Sequence, residues 1–218
     1  MTGPRRIGVS MRELRDAGTG ELRDALAATW DEFIRWALPE AAWIPLPNVG
    51  LSAAGYVEAF ALDAIILSGG DDVGASARRD ATERALLAEC GRRGLPVLGV
   101  CRGAQLMWID LGGSLVPVNG HVAARHALAP TARSSEVLRD EPPTDVNSYH
   151  RWGLPVSEAP LGLIPLALAP DGSVEMFSHP DRRWFALMWH PEREAPFRDH
   201  DRRLVRQALG MAAPRLTP

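Results

Sequence analysis

Short apolar runs alternate with amphipathic segments along the first half of the chain. Three runs rich in apolar and β-branched residues predict β-strands at residues 7–10, 42–46 and 64–68. Apolar residues at helical spacing predict helices over residues 21–38, 52–61, 78–93 and 103–111. Strands that alternate with helices usually form a parallel sheet covered on both faces. The pattern therefore predicts an α/β fold whose ligands gather at the carboxyl ends of the strands.

The pattern changes after the glycine pair at residues 112–113. Short runs with turn signals occupy much of residues 114–190, which predicts antiparallel strands added to a mostly parallel central sheet. Helical spacing returns over residues 199–211. Neither repeats nor a low-complexity linker divides the chain, so we expect a single domain over residues 1–218.

The composition predicts a cytoplasmic protein without a membrane segment. A chain of 218 residues with 46% hydrophobic content can bury one compact core. Its apolar runs are all shorter than the ~20 residues that a membrane span needs, and residues 1–6 lack the apolar core of a signal peptide. The two cysteines lie in unlike contexts and form neither a disulfide framework nor a zinc quartet, which fits a reducing compartment.

The charged residues exclude several classes of function. The net charge of −3 argues against a nucleic-acid surface. All 24 basic residues are arginine, which excludes a lysine Schiff base, a pyridoxal-phosphate lysine and a Walker lysine. Residues 69–74 lack the G-x-G-x-x-G spacing of a dinucleotide loop, and the carboxylates lack the paired spacing of a glycosidase or a metal site. We expect neither a metal ion nor an organic cofactor.

Cys101 is the strongest candidate for a nucleophile. It lies in Gly99-Val100-Cys101-Arg102-Gly103, directly after the apolar run at residues 95–98. This pattern is typical of a nucleophile elbow, a sharp strand-to-helix turn in which flanking glycines leave room for a strained residue. The first helical N–H groups favour the thiolate over the thiol. Cys90, by contrast, lies in an amphipathic helix pattern without an elbow, and we expect it to pack in the core.

A thiolate nucleophile needs a histidine that holds and returns its proton, and that histidine needs an acceptor for its second N–H group. His190 follows the strand-like run at residues 184–189, and Pro191 ends that strand. Glu192 lies two residues further on, so both side chains can be presented at the same end of the sheet. We expect the Glu192 carboxylate to accept from the His190 imidazole.

Four segments together resemble the class I glutamine amidotransferase-like family, and more narrowly its γ-glutamyl hydrolase branch of peptidase C26-like proteins. They are LSGG at residues 67–70, LGVCRGAQL at 98–106, VNSYH at 146–150 and MWHPE at 188–192. The segments are spread over most of the chain. The resemblance implies a flavodoxin-like three-layer α/β/α sandwich with a cysteine, histidine and glutamate triad.

The resemblance implies roles for individual residues. It implies a catalytic triad of Cys101, His190 and Glu192, and an oxyanion hole made by the backbone N–H groups of Gly70 and Arg102. The implied substrate-binding residues are Gln105 and the segment Asn147, Ser148, Tyr149 and His150, which borders the glutamyl pocket with polar side chains and backbone groups. For these, a helix-surface amide at residue 105 and ordinary turn structure over 147–150 stay open as alternatives.

Further polar residues are candidates for the neighbourhood of the pocket. Asp72 follows a glycine turn and can meet a substrate ammonium or cap the turn. Arg125 and Arg151 are candidates for binding phosphate at the mouth of the pocket. His121 and His126 are expected near the rim, where a role as solvated loop residues is equally open.

The resemblance implies hydrolysis of a γ-glutamyl amide through a γ-glutamyl thioester on Cys101. Departures from the family pattern include a short segment after Gly70 and the pair Arg151-Trp152 after His150. They weaken γ-glutamyl-γ-aminobutyrate as the substrate and favour a γ-glutamyl nucleotide amidate. Two alternatives stay open, namely a glutaminase subunit that delivers ammonia to a separate synthetase and a non-catalytic binding relative. A homodimer is a further open expectation.

Overall fold

The protein is described here by a computed structural model that covers residues 3–211. The ends of the expected domain, residues 1–2 and 212–218, lie outside the described residues. The strands are β1 (Arg5–Ser10), β2 (Arg12–Arg15), β3 (Leu22–Ala25), β4 (Ala41–Leu46), β5 (Ala64–Leu67), β6 (Val97–Val100), β7 (Val116–Pro117), β8 (Val122–Ala127), β9 (Ala129–Pro130), β10 (Asp145–Tyr149), β11 (Trp152–Gly153), β12 (Ile164–Leu168), β13 (Val174–His179) and β14 (Trp184–Leu187). The helices are α1 (Thr29–Ala37), α2 (Ala54–Ala59), α3 (Ala77–Arg93), α4 (Arg102–Asp110), α5 (Ser134–Val137) and α6 (Asp199–Ala208).

A mixed eight-stranded sheet forms the centre of the fold, with the strand order β4-β1-β5-β6-β14-β13-β12-β9. The pairs from β4 to β14 are parallel, whereas β13, β12 and β9 join as antiparallel neighbours. The predicted fold class is therefore confirmed, including the antiparallel additions from the second half of the chain.

Two hydrophobic clusters cover the two faces of this sheet. Successive residues of β5 alternate between them, with Ile66 in one cluster and Ile65 in the other, as the period of a strand requires. Helices α1 and α6 contribute Phe33 and Val205 to the first cluster, and α2, α3 and α4 line the second. These layers form the expected three-layer sandwich.

The segment at residues 21–38 is not one helix, and the prediction for its first third is wrong. Strand β3 lies there instead and pairs with β2 in a hairpin. In the turn between them, the Asp16 carboxylate accepts from the backbone N–H groups of Gly18 and Thr19. Helical structure starts only at Thr29. The apolar residues at 22 and 26 mimic helical spacing, but the tight turn at residues 16–20 favours strand pairing instead.

The other predicted helices are present with shifted ends. Residues 50–59 divide into a short 3₁₀ turn at Gly50–Ala53 and α2. Helix α3 begins after Ser76, whose side chain accepts from the N–H of Arg79, and ends at Gly94 in the left-handed conformation. Helix α6 ends at Ala208, three residues before the predicted end. Within residues 3–211, none of the helices is long and apolar enough to cross a membrane.

Candidate active site

Cys101 lies in a sharp turn between β6 and α4, with φ 51° and ψ −104°. This is a strained backbone for a residue with a side chain. A Cβ atom at Gly103 would lie 2.3 Å from the carbonyl oxygen of Leu67, and one at Gly99 would lie 2.5 Å from the sulfur of Met107. Glycines on both sides therefore allow the helix to approach the sheet closely, as the elbow pattern requires.

His190 and Glu192 are buried side by side at the end of β14. The His190 Nδ1 atom lies 2.6 Å from Oε1 of Glu192, and both side chains are 2% exposed. A short 3₁₀ turn, Pro191–Arg193, contains Glu192, whose carboxylate lies beside Nδ1 of the ring. Since Nδ1–H donates to the carboxylate, Nε2 is the ring nitrogen that remains for Cys101, whose charge acts on the imidazole.

The charge environment favours an imidazolium at His190. Burial acts to lower the pKa of His190, but the Glu192 carboxylate and the Cys101 thiolate outweigh it and raise this pKa to about 10. Cys90 is different. It packs in the core, where burial raises the pKa of its thiol to about 12. The chain thus has one cysteine beside a histidine, Cys101, and one isolated in apolar surroundings, Cys90.

Asn147 holds the backbone of His190 and does not line the pocket. Its Nδ2 group donates to the His190 carbonyl at 2.8 Å, and its Oδ1 accepts from the His190 N–H at 2.9 Å. The same Nδ2 group donates to Glu194. The expected substrate-binding role of the Asn147 side chain is therefore corrected to a positioning one, because the strand directs this amide toward the His190 backbone. A substrate contact through the Asn147 backbone stays a prediction.

Ser148 also points away from the pocket. It is fully buried, and its hydroxyl donates to the His121 carbonyl at 2.7 Å. The Ser148 side chain therefore does not border the cavity, and a substrate contact through its backbone stays a prediction. Alternation along β10 explains the difference, since its neighbour Tyr149 points to the opposite side and does line the pocket.

Gly70 lines the same pocket as Cys101. The guanidinium of Arg79 donates to the carbonyl groups of Ser68 at 2.8 Å and Gly69 at 3.0 Å, which fixes this loop. The Arg102 side chain is buried and pairs with Asp80 and Glu83, away from the pocket. Its backbone N–H starts α4, where it is not needed for a helical hydrogen bond.

A cavity of about 430 Å³ opens at Cys101 and His190. Of the residues predicted for substrate binding, Asp72, Gln105, Tyr149 and His150 line it. Gln105 donates from Nε2 to the Trp152 carbonyl at 3.0 Å, which orients its amide. The Tyr149 ring meets the edge of the His190 ring, with centroids 5.7 Å apart.

Sequence reasoning missed several residues of this cavity, namely Arg12, Asp71, Ala75 and Arg193. Arg12 comes from the unpredicted hairpin and pairs with Asp71 at 2.6 Å. Arg193 directly follows the His-Pro-Glu motif, and its guanidinium lies 4.7 Å from the centre of the Tyr149 ring. The position next to Glu192 was the only available signal for Arg193.

The two arginines expected at the mouth of the pocket differ. Arg151 lines the cavity with a side chain that is 74% exposed, and its nearest acidic partner is Asp72 at 3.9 Å. Arg125 is instead bound by Asp145 at 2.6 Å and Glu194 at 2.9 Å and does not line the cavity. These two carboxylates hold it against the fold, so its predicted phosphate-binding role is not supported.

His121 and His126 do not line this cavity either. Their rings pack on each other with centroids 4.6 Å apart, and His121 packs on His150. His121 is 4% exposed, so a solvated loop residue is the wrong description for it. These histidines gather around Glu175 in a separate cluster.

Comparisons with known proteins show which family the chain belongs to. A family model described as peptidase C26 matches residues 7–192, which include Cys101, His190 and Glu192. The chain is 29% identical over 194 residues to a γ-glutamyl-CDP-amidate hydrolase of Campylobacter jejuni, with 86% of this chain and 90% of that protein covered. It is 33% identical over 172 residues to protein NtpR of Enterococcus hirae, with coverage of 65% and 70%.

A glutamine amidotransferase from Thermotoga maritima has the same fold, with a TM-score of 0.65 at 16% identity. The match covers 90% of this chain and 80% of that one. The matched family model extends over far more than half of the chain. The chain belongs to the peptidase C26 family within the class I glutamine amidotransferase-like proteins, whose members are cysteine-dependent amidohydrolases.

Proposed function

We propose that this protein hydrolyses a γ-glutamyl amide through a γ-glutamyl thioester on Cys101. The observation that carries the proposal is the buried relay of Cys101, His190 and Glu192 at one end of a cavity. A cysteine in a strained elbow, in the same cavity as a histidine that a carboxylate orients, suits nucleophilic acyl transfer.

The reaction needs two steps. In the first, the Cys101 sulfur attacks the γ-carbonyl carbon, and the negative oxygen of the tetrahedral intermediate accepts from the N–H groups of Gly70 and Arg102. The C–N bond then breaks, and His190 gives its proton to the departing nitrogen. In the second step His190 takes a proton from water, which attacks the thioester and releases glutamate and the free thiolate.

Each residue around the relay has a part in this scheme. Glu192 holds the imidazole in the tautomer that faces the sulfur, and Asn147 fixes the His190 backbone. Gln105 and Asp72 line the cavity, where an amide and a carboxylate suit the polar groups of a glutamyl substrate. The ammonium of the glutamyl group is the proposed partner of Asp72.

The leaving group is proposed to be anionic. Three arginines, Arg12, Arg151 and Arg193, line the same cavity. Arg151 is the most exposed of them, at 74%, and is only distantly paired with Asp72, so its guanidinium suits a phosphate that enters from solvent. The relative from Campylobacter jejuni is named for a γ-glutamyl-CDP-amidate. We accordingly assign γ-glutamyl nucleotide amidates as the substrate class.

The test measures glutamate release from three substrates: glutamine, a γ-glutamyl alkylamide and a γ-glutamyl nucleotide amidate. We expect the isolated protein to prefer the nucleotide amidate, and Cys101→Ala to lose all release. Release by Cys101→Ala would refute the thioester. Release from glutamine only after a synthetase is added would replace hydrolysis by the role of a glutaminase subunit.

A matched pair of arginine variants tests the anionic leaving group. Arg151→Gln is expected to raise KM for the nucleotide amidate about tenfold, since one bidentate phosphate contact is lost, and to leave the alkylamide unchanged. Arg133→Gln is the control, because Arg133 is 56% exposed, pairs with Glu136 and lies outside the cavity. An equal effect of Arg151→Gln on both substrates would contradict the phosphate contact.

A further inference from the structure

A cluster of three histidines and one glutamate lies beside the active-site cavity. His121 precedes β8, His126 lies on β8 and His150 follows β10, so all three belong to the two-stranded β8–β10 ribbon. Glu175 lies on β13 of the central sheet. One potential ligand atom from each residue lies within 4.8 Å of the others. Only His150 also touches the cavity that contains Cys101.

Each of the three histidines has an inner ring nitrogen, which faces Glu175, and an outer ring nitrogen. A hydrogen-bond acceptor lies beside each outer nitrogen. His121 Nε2 lies 3.0 Å from a carboxylate oxygen of Asp171, and His126 Nδ1 lies 3.1 Å from the Ala127 carbonyl. His150 Nδ1 lies 3.1 Å from the Trp152 carbonyl. A carbonyl only accepts, so these outer nitrogens carry the hydrogen. In neutral imidazoles the inner nitrogens then hold lone pairs.

Those inner nitrogens converge on one carboxylate. The distances to Oε1 of Glu175 are 3.5 Å from His121 Nδ1, 3.7 Å from His126 Nε2 and 3.3 Å from His150 Nε2. Within residues 3–211 these three nitrogens and both Glu175 oxygens are buried and have no hydrogen-bond partner. Lone pairs that face a buried carboxylate repel it unless a proton or a metal ion lies between them.

We propose that His121, His126, His150 and Glu175 bind a divalent transition-metal ion of the zinc class. With Zn–N distances of about 2.0–2.1 Å, the ligand atoms of a tetrahedral site lie about 3.3 Å apart, close to the three distances to Glu175. Imidazole nitrogens select zinc and its neighbours over magnesium or calcium. The hydrogen bonds of the outer nitrogens supply the second shell that orients metal-ligating histidines.

Four protein ligands complete a tetrahedron, which is typical of a structural zinc site. The ion joins the β8–β10 ribbon to the central sheet. That ribbon carries Asn147, which holds the His190 backbone, and Ser148, which binds the His121 carbonyl. The metal therefore stabilises the part of the fold that positions the catalytic histidine, while taking no part in bond cleavage. The proposal departs from the expectation of a metal-free protein.

The test uses the full-length protein after removal of metal by a chelator. Addition of Zn²⁺ is expected to give one bound equivalent per chain by elemental analysis and to raise the thermal midpoint by about 5–10 °C at a hundredfold excess over Kd. Addition of Co²⁺ is expected to give the intense visible absorption of a tetrahedral ion. Failure to bind either metal at micromolar concentration would overturn the site.

Variants decide whether the bound metal occupies this cluster. His126→Gln and Glu175→Gln are expected to lose the equivalent of Zn²⁺ and the Co²⁺ spectrum, whereas His200→Gln, outside the cluster, keeps both. His126 has the more exposed side chain, at 10%, so His126→Gln provides the answer even where Glu175→Gln fails to fold. A full equivalent of zinc in His126→Gln would refute the assignment, because the ion would then lie elsewhere.

Discussion

Replacement of Glu192 by glutamine tests the electrostatics of the relay. The substitution keeps the size of the side chain and removes the charge that lies 2.6 Å from His190 Nδ1. The difference between the ordinary pKa of 6.5 and the value of about 10 at His190 corresponds to roughly 5 kcal/mol in favour of the imidazolium. Burial lowers the pKa of His190, and in Glu192→Gln the carboxylate that opposes this effect is absent. The pKa of His190 should therefore fall in Glu192→Gln.

The assay is the pH dependence of kcat/KM between pH 6 and 10.5. His190 must be protonated to deliver a proton to the leaving nitrogen, so the wild type should lose activity only as the pH rises through about 10. The same ion pair stabilises the native state below pH 6.5, and this contribution is lost as the pH rises toward 10. In Glu192→Gln the basic limb should move to lower pH.

The rate should also fall in this variant. Loss of the carboxylate frees the imidazole to adopt the wrong tautomer, which costs about 10⁴ in kcat in a comparable triad. Glu136→Gln is the control, since it makes the same chemical change at an exposed residue outside the cavity. A basic limb that stays near pH 10 in Glu192→Gln, or a kcat within threefold of the wild type, would refute the reasoning.

Three further predictions follow from the buried groups. Iodoacetamide should label Cys101 and spare Cys90, whose pKa is about 12, and labelling of Cys90 in the native state would contradict this. Gly69→Ala should lower kcat at least tenfold with a smaller change in KM, because the new Cβ would lie 2.4 Å from Cε1 of His190; unchanged kinetics would argue against this contact. Burial raises the pKa of Asp201 to about 7, so deprotonation destabilises the native state as the pH rises from 4 to 7. In urea unfolding, the free energy of unfolding of Asp201→Asn relative to the wild type should therefore rise by up to about 4 kcal/mol between pH 4 and pH 8. A difference between the two proteins that does not change with pH would exclude this.

The sequence predicts the elbow and the histidine relay because both are local. The glycines at 99 and 103 are needed by the backbone around Cys101 itself, and the proline after His190 ends its strand, so neighbouring residues reveal the geometry. The alternation of short strands and helices likewise predicts the parallel part of the sheet. These features depend on residue types within a few positions of one another.

The sequence does not predict features that depend on contacts between residues far apart in the chain. The direction of the Asn147 amide is set by the neighbouring backbone of His190, which is 43 residues away in sequence. The hairpin that carries Arg12 was hidden by apolar residues whose spacing also suits a helix. The proposed metal site combines Glu175 of the central sheet with three histidines of the β8–β10 ribbon, and the spacing of these residues in the sequence matches no metal-binding motif.

The most direct test of the central claim is a search for the acyl-enzyme. The protein is mixed with a γ-glutamyl substrate, quenched in acid within one turnover, digested and examined by mass spectrometry. We predict an added glutamyl group on the peptide that contains Cys101, removed by hydroxylamine and absent from the Cys90 peptide and from Cys101→Ala. A glutamyl group on another residue, or glutamate release by Cys101→Ala, would contradict the mechanism.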